Sequence, residues 1–150
     1  MANSYLSLFV HTVFSTHNRE PVLTPALRER LWPYMGGIAR ENKIKPVSIG
    51  GTRDHAHMLI SIPAIMPVAK AVQLVKGGSS KWLHENFNSL RKFAWQEGYG
   101  AFSIGASQVE AMCEKFARQE EHHRIKSFQE EYLAYLKEYR IEYDERYVWG

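Results

Sequence analysis

The chain has 150 residues, a formal net charge of +3 and an isoelectric point near 9.0, so it has the usual size of one domain and a mild preference for a polyanionic partner. Its content of 45% hydrophobic and 13% aromatic residues excludes a disordered protein, and its single cysteine excludes an internal disulfide framework. Because no apolar run approaches the ~20 residues that span a bilayer, and the first residues lack the features of a signal peptide, we expect one cytoplasmic domain over residues 1–150, with no membrane partner.

The first half of the chain alternates between strand and helix patterns. Residues 5–16, YLSLFVHTVFST, are rich in β-branched and aromatic residues and predict a strand. Thr24 is placed to cap a helix that has a proline at its first position. Pro33 falls inside this helix and predicts a kink or a later start. Residues 44–63 predict two strands joined by a Gly-Gly turn.

The second half predicts a helix, a fourth strand and further helices. Pro67 is placed to open a helix that the segment KGGSS at residues 76–80 interrupts. Residues 98–104, GYGAFSI, predict a strand. Ser107 and Ser127 are each followed three residues later by glutamate, a capping box that marks the start of a helix.

The order of these elements predicts the fold class. Strand, helix, strand, strand, helix, strand is the split βαβ pattern of a ferredoxin-like (RRM-like) α+β fold. Its antiparallel sheet carries two helices on one face. The other face is left for a partner, a ligand or the C-terminal helices.

Two histidines in the third predicted strand form the first candidate site. His55 and His57 are two positions apart, so strand alternation sends both side chains to the same face. Imidazole is a good ligand for transition metals, although this spacing also suits ordinary hydrogen-bonded histidines in a sheet. Asp54 either orients one ring through its second nitrogen or is simply a turn residue.

The helix after Ser107 is where we expect a further ligand. Its apolar stripe includes Cys113 and Phe116, which makes Cys113 a core residue rather than a nucleophile. Lys115 and Gln119 lie along an adjacent polar stripe, one turn apart. Gln119 offers a neutral oxygen that suits Mg²⁺ or Mn²⁺, and the alternative is a solvated glutamine.

A basic, glycine-rich segment predicts contacts to a phosphate backbone. Residues 74–83, LVKGGSSKWL, combine flexible backbone, hydroxyl groups and lysines, and the alternative is a glycine-bent helix with solvated lysines. The candidate DNA-binding residues are Lys76, Ser79, Ser80 and Lys81, together with Arg19 and Arg53 in the loops.

Six segments together resemble the small HUH single-tyrosine transposases of compact bacterial insertion sequences and the related REP-associated tyrosine transposases. The resemblance covers nearly the whole chain, in matching order. The segments are VHTVFSTHNREPVLT, GGTRDHAHMLISIP, VKGGSSKWL, FAWQEGYGAFSI, SQVE…RQEEHHRIKSFQEEY and IEYDERYVWG.

The resemblance implies a metal site, a DNA substrate and a dimer. It implies Mg²⁺ or Mn²⁺ held by His55, His57 and Gln119, and recognition of single-stranded DNA that carries hairpins. It implies a homodimer formed by joining sheets, with active sites shared between subunits. The late helices from about residue 107 onward would form the active-site arm, each completing the histidine site of the other subunit.

One position departs from the family pattern. The family's chemistry is metal-assisted transesterification, in which a tyrosine attacks the scissile phosphate and gives a 5′-phosphotyrosine and a free 3′-hydroxyl. The position that matches this tyrosine is Lys115, and a lysine side chain is mostly protonated at neutral pH and is then a poor nucleophile toward a phosphodiester. As a cation it could instead contact a DNA phosphate. Tyr132, Tyr135 and Tyr139 follow on the next helix, where a substitute nucleophile competes with core or surface roles.

These observations leave two main hypotheses for function. The first is a transposase that acts on single-stranded DNA hairpins at element ends by metal-assisted strand cleavage and rejoining. The alternative is a catalytically impaired descendant that binds hairpin DNA without cutting it. An unrelated RRM-like RNA binder would share the order of strands, but the chain lacks the aromatic motif expected on those strands.

Overall fold

A computed structural model describes residues 4–118 and 127–150 of the chain. Within these residues the main elements, in chain order, are β1 (Phe9–Ser15), α1 (Pro25–Glu41), β2 (Lys45–Gly51), β3 (His55–Ser61), α2 (Val68–Asn86), β4 (Gly100–Ile104), α3 (Val109–Ala117) and α4 (Phe128–Glu138).

The four strands form one antiparallel sheet in the order β2-β3-β1-β4. The central strand β1 pairs with β3 on one side and with β4 on the other, so Val13 lies opposite both His57 and Gly100. This order confirms the ferredoxin-like α+β fold that the sequence predicts.

Alternation along β3 divides its side chains between the two faces of the sheet. Ala56 and Met58 pack with α1 and α2 in the main hydrophobic core. Leu59 packs on the opposite face with Phe116 of α3, and Val13 of β1 packs there with residues of α4. The second face of the sheet is therefore covered by the late helices of the same chain.

Helix α1 begins where the sequence predicts, but its internal proline does not break it. The Thr24 hydroxyl accepts a hydrogen bond from the Leu27 amide at 3.3 Å, and Pro25 is the first helical residue. The helix then continues through Pro33, which is exposed. Proline has no backbone N–H, so Pro33 cannot donate a hydrogen bond to the carbonyl of Glu29, one turn earlier. This carbonyl lies on the solvent side of the helix, where water can bond to it.

Helix α2 passes without a break through the Gly-Gly pair that the sequence suggested as an interruption. A Cβ atom on Gly78 would lie 2.8 Å from Cδ1 of Ile38 in α1. Glycine is used here to let the two helices approach closely, so its role is in packing rather than in bending the chain.

The connection between β2 and β3 also differs in detail from the prediction. Gly50 and Gly51 belong to β2, and the turn is formed by the residues that follow. A Cβ atom on Gly51 would lie 2.1 Å from the carbonyl oxygen of His55, and one on Gly50 would lie 2.9 Å from that of Phe116. Gly51 therefore leaves room for the backbone of β3, and Gly50 leaves room for the end of α3.

Of the two late helices, α4 has the cap that the sequence predicts and α3 does not. The Ser127 hydroxyl accepts a hydrogen bond from the Glu130 amide at 3.2 Å, which confirms Ser127 as the capping residue at the start of α4. Helix α3 is instead preceded by a 3₁₀ turn, in which the Gly105 amide donates to Oε1 of Gln108 at 3.0 Å. Ser107 is therefore not the capping residue. Among the described helices, none is both long and apolar enough to cross a membrane.

Candidate active site

The two histidines of β3 lie on one face of the sheet, as their spacing predicts, and this face is covered by the late helices, where His55 contacts Phe128 and His57 contacts Phe116. His55 and His57 are 1% and 0% exposed, and their rings lie 5.0 Å apart. Nδ1 of His55 lies 2.8 Å from the Asp54 carboxylate and 2.9 Å from the Thr52 hydroxyl. Asp54 is thus both a turn residue and an orienting partner, and Nε2 is the nitrogen that His55 can direct to a ligand.

A third histidine, which the sequence analysis did not single out, holds the ring of His57. Nε2 of His11 on β1 lies 2.8 Å from Nδ1 of His57. Burial and the neighbouring His57 hold the pKa of His11 well below its usual value, so its ring is neutral. Nε2 of His57 consequently points to the same side as the ligand nitrogen of His55. The signal in the sequence was a histidine inside the apolar first strand.

Glu131 of α4 completes this cluster. Its Oε1 atom lies 3.0 Å from Nε2 of His57, and the candidate ligand atoms of His55, His57 and Glu131 all lie within 4.8 Å of one another. Glu131 is 3% exposed, and a buried carboxylate requires a compensating positive charge. Two imidazoles and one carboxylate are a donor set that suits Mn²⁺ and other divalent metals, so these residues fit the expected cation.

The sequence analysis named a different additional ligand. Gln119 lies outside the described residues, so its place relative to the histidines stays a prediction. Glu131 was missed, although it carries a recognisable signal. It lies three residues after Phe128 and four before Tyr135, inside the buried stripe of α4. A carboxylate in an apolar stripe is a candidate for a functional role.

Lys115 lies beside this cluster and contacts both Glu131 and Tyr135. Its ammonium donates a hydrogen bond to the Tyr135 hydroxyl and lies 4.0 Å from Oε2 of Glu131. The ammonium also lies 4.5 Å from the centroid of the Tyr135 ring. Burial, and then the charge of Glu131, raise the pKa of Tyr135 well above its usual value. The Tyr135 hydroxyl is therefore protonated and neutral.

The other two tyrosines of this region have different surroundings. Tyr132 is buried, and its ring packs between Phe128 and Trp149 at centroid distances of 5.6 and 5.7 Å. The Tyr139 hydroxyl donates to the backbone carbonyl of Ser103 at 3.2 Å. Among these three tyrosines, Tyr135 is the one whose hydroxyl contacts Lys115.

The two predicted DNA-binding arginines lie near the turn that precedes the histidines. The backbone carbonyl of Arg53 accepts a hydrogen bond from the Leu23 amide, and its side chain is exposed. The Thr16 amide donates to the Asp54 carbonyl at 2.8 Å, which brings the loop that carries Arg19 to the same end of the sheet. Both arginines therefore belong to loops beside the histidine cluster.

The four predicted DNA-binding residues of α2 separate into two pairs. Lys76 donates to the Gly98 carbonyl at 3.0 Å, and burial lowers its pKa to about 8. The Ser79 hydroxyl is fully buried and accepts a hydrogen bond from the indole of Trp95 at 3.0 Å. Ser80 and Lys81 reach the surface. Because α2 covers the other face of the sheet, none of the four lies in the histidine cluster.

Comparison with known proteins identifies similar sequences. The family described as "Transposase IS200 like" matches residues 4–119. The transposases for insertion sequence element IS200 of Salmonella typhimurium and of Salmonella typhi are each 28% identical over an alignment of 101 residues, and 63% of this chain is covered. The match spans 66% of the length of these relatives.

Two solved structures share the fold. A protein of Deinococcus radiodurans R1 that has been assigned as a transposase aligns with a TM-score of 0.64 and 18% identity, over 79% of this chain and 95% of that one. A REP-associated tyrosine transposase bound to a REP hairpin aligns with a TM-score of 0.60 and 12% identity, over 82% of this chain and 74% of that one.

Proposed function

Because the chain belongs to the family of IS200-like transposases, we propose that it cleaves and rejoins single-stranded DNA beside hairpins at the ends of an element, with Mg²⁺ or Mn²⁺ bound at its histidine cluster. The observation that carries this proposal is the cluster of His55, His57 and Glu131, whose ligand atoms lie within 4.8 Å of one another. A buried cluster with this donor set is typical of a metal centre rather than of a hydrophobic core.

The residues around the cluster supply the support that a metal centre needs. Asp54 and Thr52 hold the ring of His55, and His11 holds that of His57. Such contacts fix the tautomer and orientation of a ligating imidazole. The family resemblance adds Gln119 as a further ligand. A bound divalent cation would polarise the scissile phosphate.

The DNA partner is proposed from charge and from the fold relative. Arg53 and Arg19 would contact phosphates near the histidines, because their loops lie at that end of the sheet. Ser80 and Lys81 would add backbone contacts from the surface of α2. Lys76 would support this surface by holding the segment before β4. The structural relative bound to a REP hairpin supports hairpin DNA as the class of partner.

A homodimer is part of the proposal. Strands β2 and β4 are the two edges of the sheet, and an open edge is where two sheets can join. Within one chain, Glu131 already contacts His57 and Lys115 already contacts Tyr135. Sharing of active sites between subunits would therefore require an exchange of the late helices.

Calorimetry with Mn²⁺ tests the metal site. Replacing both His55 and His57 with alanine should abolish the binding isotherm, whereas replacing the exposed His17 should leave it unchanged. Binding of a fluorescent single-stranded DNA hairpin, measured by anisotropy beside an unstructured strand of the same composition, tests the partner. Unchanged Mn²⁺ binding in the double variant, or equal affinity for both DNAs, would contradict the proposal.

A second function is favoured by Lys115. A lysine at the position that matches the family tyrosine is expected of a protein that binds hairpin DNA without cutting it. A denaturing gel separates the two functions, because strand cleavage leaves a covalent protein–DNA adduct and binding alone does not.

A further inference from the structure

A covalent strand-transfer reaction needs a nucleophilic oxygen close to the metal cluster. Hydrogen bonds connect the Thr52 hydroxyl to this cluster and the Tyr135 hydroxyl to Lys115 beside it. The Thr52 hydroxyl contacts Nδ1 of His55, on the side of the ring away from the ligand nitrogen. The Tyr135 hydroxyl contacts Lys115, which itself lies 4.0 Å from Glu131. Lys115 thus links the Tyr135 hydroxyl to Glu131, one of the candidate metal ligands.

We propose that Tyr135 is the catalytic nucleophile of this protein. Its hydroxyl, carried by α4, would take the role of the family tyrosine that Lys115 replaces. This inference rests on the proposed function, since it names the group that attacks the DNA in that reaction. The hydroxyl comes from the helix that follows, and the lysine at the family position contacts it directly.

The helix that carries Tyr135 also carries the carboxylate of the cluster. Glu131 and Tyr135 are four residues apart in α4, so their side chains lie on the same face of the helix, one turn from each other. The Tyr135 ring meets His11 edge to face at a centroid distance of 5.1 Å, and His11 contacts His57. These contacts hold the phenol beside the histidine cluster.

Lys115 has an electrostatic role in this arrangement. Its ammonium donates to the Tyr135 oxygen, so it places a positive charge beside the atom that attacks the phosphate. A fixed cation at this point stabilises negative charge as it develops on the oxygen and the phosphate. A lysine at position 115 is thus compatible with catalysis when a neighbouring residue supplies the hydroxyl.

The reaction is balanced without any oxidant or further reactant. The bond between Tyr135 Oη and phosphorus forms as the bond between phosphorus and the 3′-oxygen breaks. The phenol proton passes to solvent, and the 3′-oxygen leaves as a hydroxyl after it takes a proton from solvent. The products are a 5′-phosphotyrosine and a free 3′-hydroxyl, and reversal of the same steps rejoins the strand.

The experiment uses the full chain with Mn²⁺ and a pool of single-stranded DNA hairpins with randomised flanks and a fluorescent label at the 3′ end. The covalent adduct is counted on a denaturing gel, and its attachment point is mapped by mass spectrometry of tryptic peptides. We expect the adduct on Tyr135. Tyr135→Phe should lower its yield at least ~100-fold while hairpin affinity and Mn²⁺ binding stay unchanged. Tyr132→Phe and Tyr139→Phe are the matched controls and should retain the adduct.

The other outcomes separate this inference from the proposed function. An adduct that persists in Tyr135→Phe, or that maps to another residue, overturns the inference and leaves strand cleavage in place. No adduct from the wild-type chain, together with an adduct from Lys115→Tyr, overturns it in favour of a site that has lost its nucleophile. No adduct from either protein, with hairpin binding retained, overturns both the inference and the cleavage reaction.

Discussion

At the scale of single residues, each histidine of β3 has one ring nitrogen held by a neighbouring side chain. Asp54 holds His55, and His11 holds His57, while Glu131 lies on the far side of His57. This is the arrangement by which proteins fix metal-ligating imidazoles, because the held nitrogen determines the tautomer of the ring. Two predictions belong to this scale.

The first prediction concerns the carboxylate of the cluster. Glu131→Gln should weaken Mn²⁺ binding by ~10-fold or more, because it replaces a charged ligand with a neutral one of the same shape. Titration calorimetry on the DNA-free protein measures this directly. Glu138→Gln, which removes an exposed carboxylate from the same helix, is the control. Equal affinities for the two variants would exclude Glu131 as a ligand.

The second prediction concerns the partner of His55. Asp54→Asn should weaken Mn²⁺ binding by about 10- to 100-fold, because the ring of His55 loses the charged acceptor that orients it. The neighbouring Arg53→Ala should keep its Mn²⁺ affinity and instead bind hairpin DNA more weakly, with a salt dependence reduced by about one phosphate contact. If both variants bind Mn²⁺ as the wild type does, Asp54 acts only as a turn residue.

At the scale of elements, the position of α3 on the sheet depends on a close backbone contact. The end of α3 rests on β2 at Gly50, and the carbonyl of Phe116 occupies the space that a side chain would need. Phe116 in turn packs against the rings of His11 and His57, at centroid distances of 5.1 and 5.2 Å. The packing of this helix therefore determines how closely Lys115 approaches the cluster.

A glycine substitution tests this contact. Gly50→Ala should lower the free energy of unfolding by about 1–3 kcal/mol, because its Cβ would lie 2.9 Å from the Phe116 carbonyl and the backbone must shift. Gly77→Ala in α2 meets nothing within 4 Å and should raise stability by up to ~1 kcal/mol. Urea unfolding followed by circular dichroism measures both. A neutral Gly50→Ala would mean that α3 is not pressed against β2 as described.

At the scale of the whole molecule, both faces of the sheet are covered by helices of the same chain. The first face carries α1 and α2, and the second carries α3 and α4, so the edges β2 and β4 are where the proposed dimer would join. The contact between Glu131 and His57 forms within one chain. A dimer could therefore hold two separate active sites or, if the late helices exchange, two shared ones.

Mixing two inactive variants decides between these arrangements. When His57→Ala and Tyr135→Phe chains are co-expressed with different tags and purified as the mixed dimer, we expect no DNA adduct, because each chain would build its site from its own helices. Recovery of the adduct would instead demonstrate sites shared between subunits. Light scattering after size-exclusion chromatography confirms the dimer in each sample.

The sequence by itself determined the order of the strands and helices and the direction of the two histidines. Period-two alternation is a local property, so it places His55 and His57 on one face of β3 whatever packs there. The cap at Thr24 was equally predictable, because a capping contact spans only three residues. The Gly-Gly pair of α2 was misread as an interruption because the reason for Gly78 is its packing against Ile38, which lies in another helix.

Only the tertiary structure decided which groups surround the histidines. His11, Glu131 and Tyr135 come from β1 and α4, far from β3 in the sequence, and no local pattern measures the distance between such segments. The same holds for Ser79, whose hydroxyl is buried beneath Trp95 although its segment looked like a phosphate-binding loop. Side chains distant in sequence meet because the sheet must bury both of its hydrophobic faces. Which of them meet depends on how the helices pack over those faces.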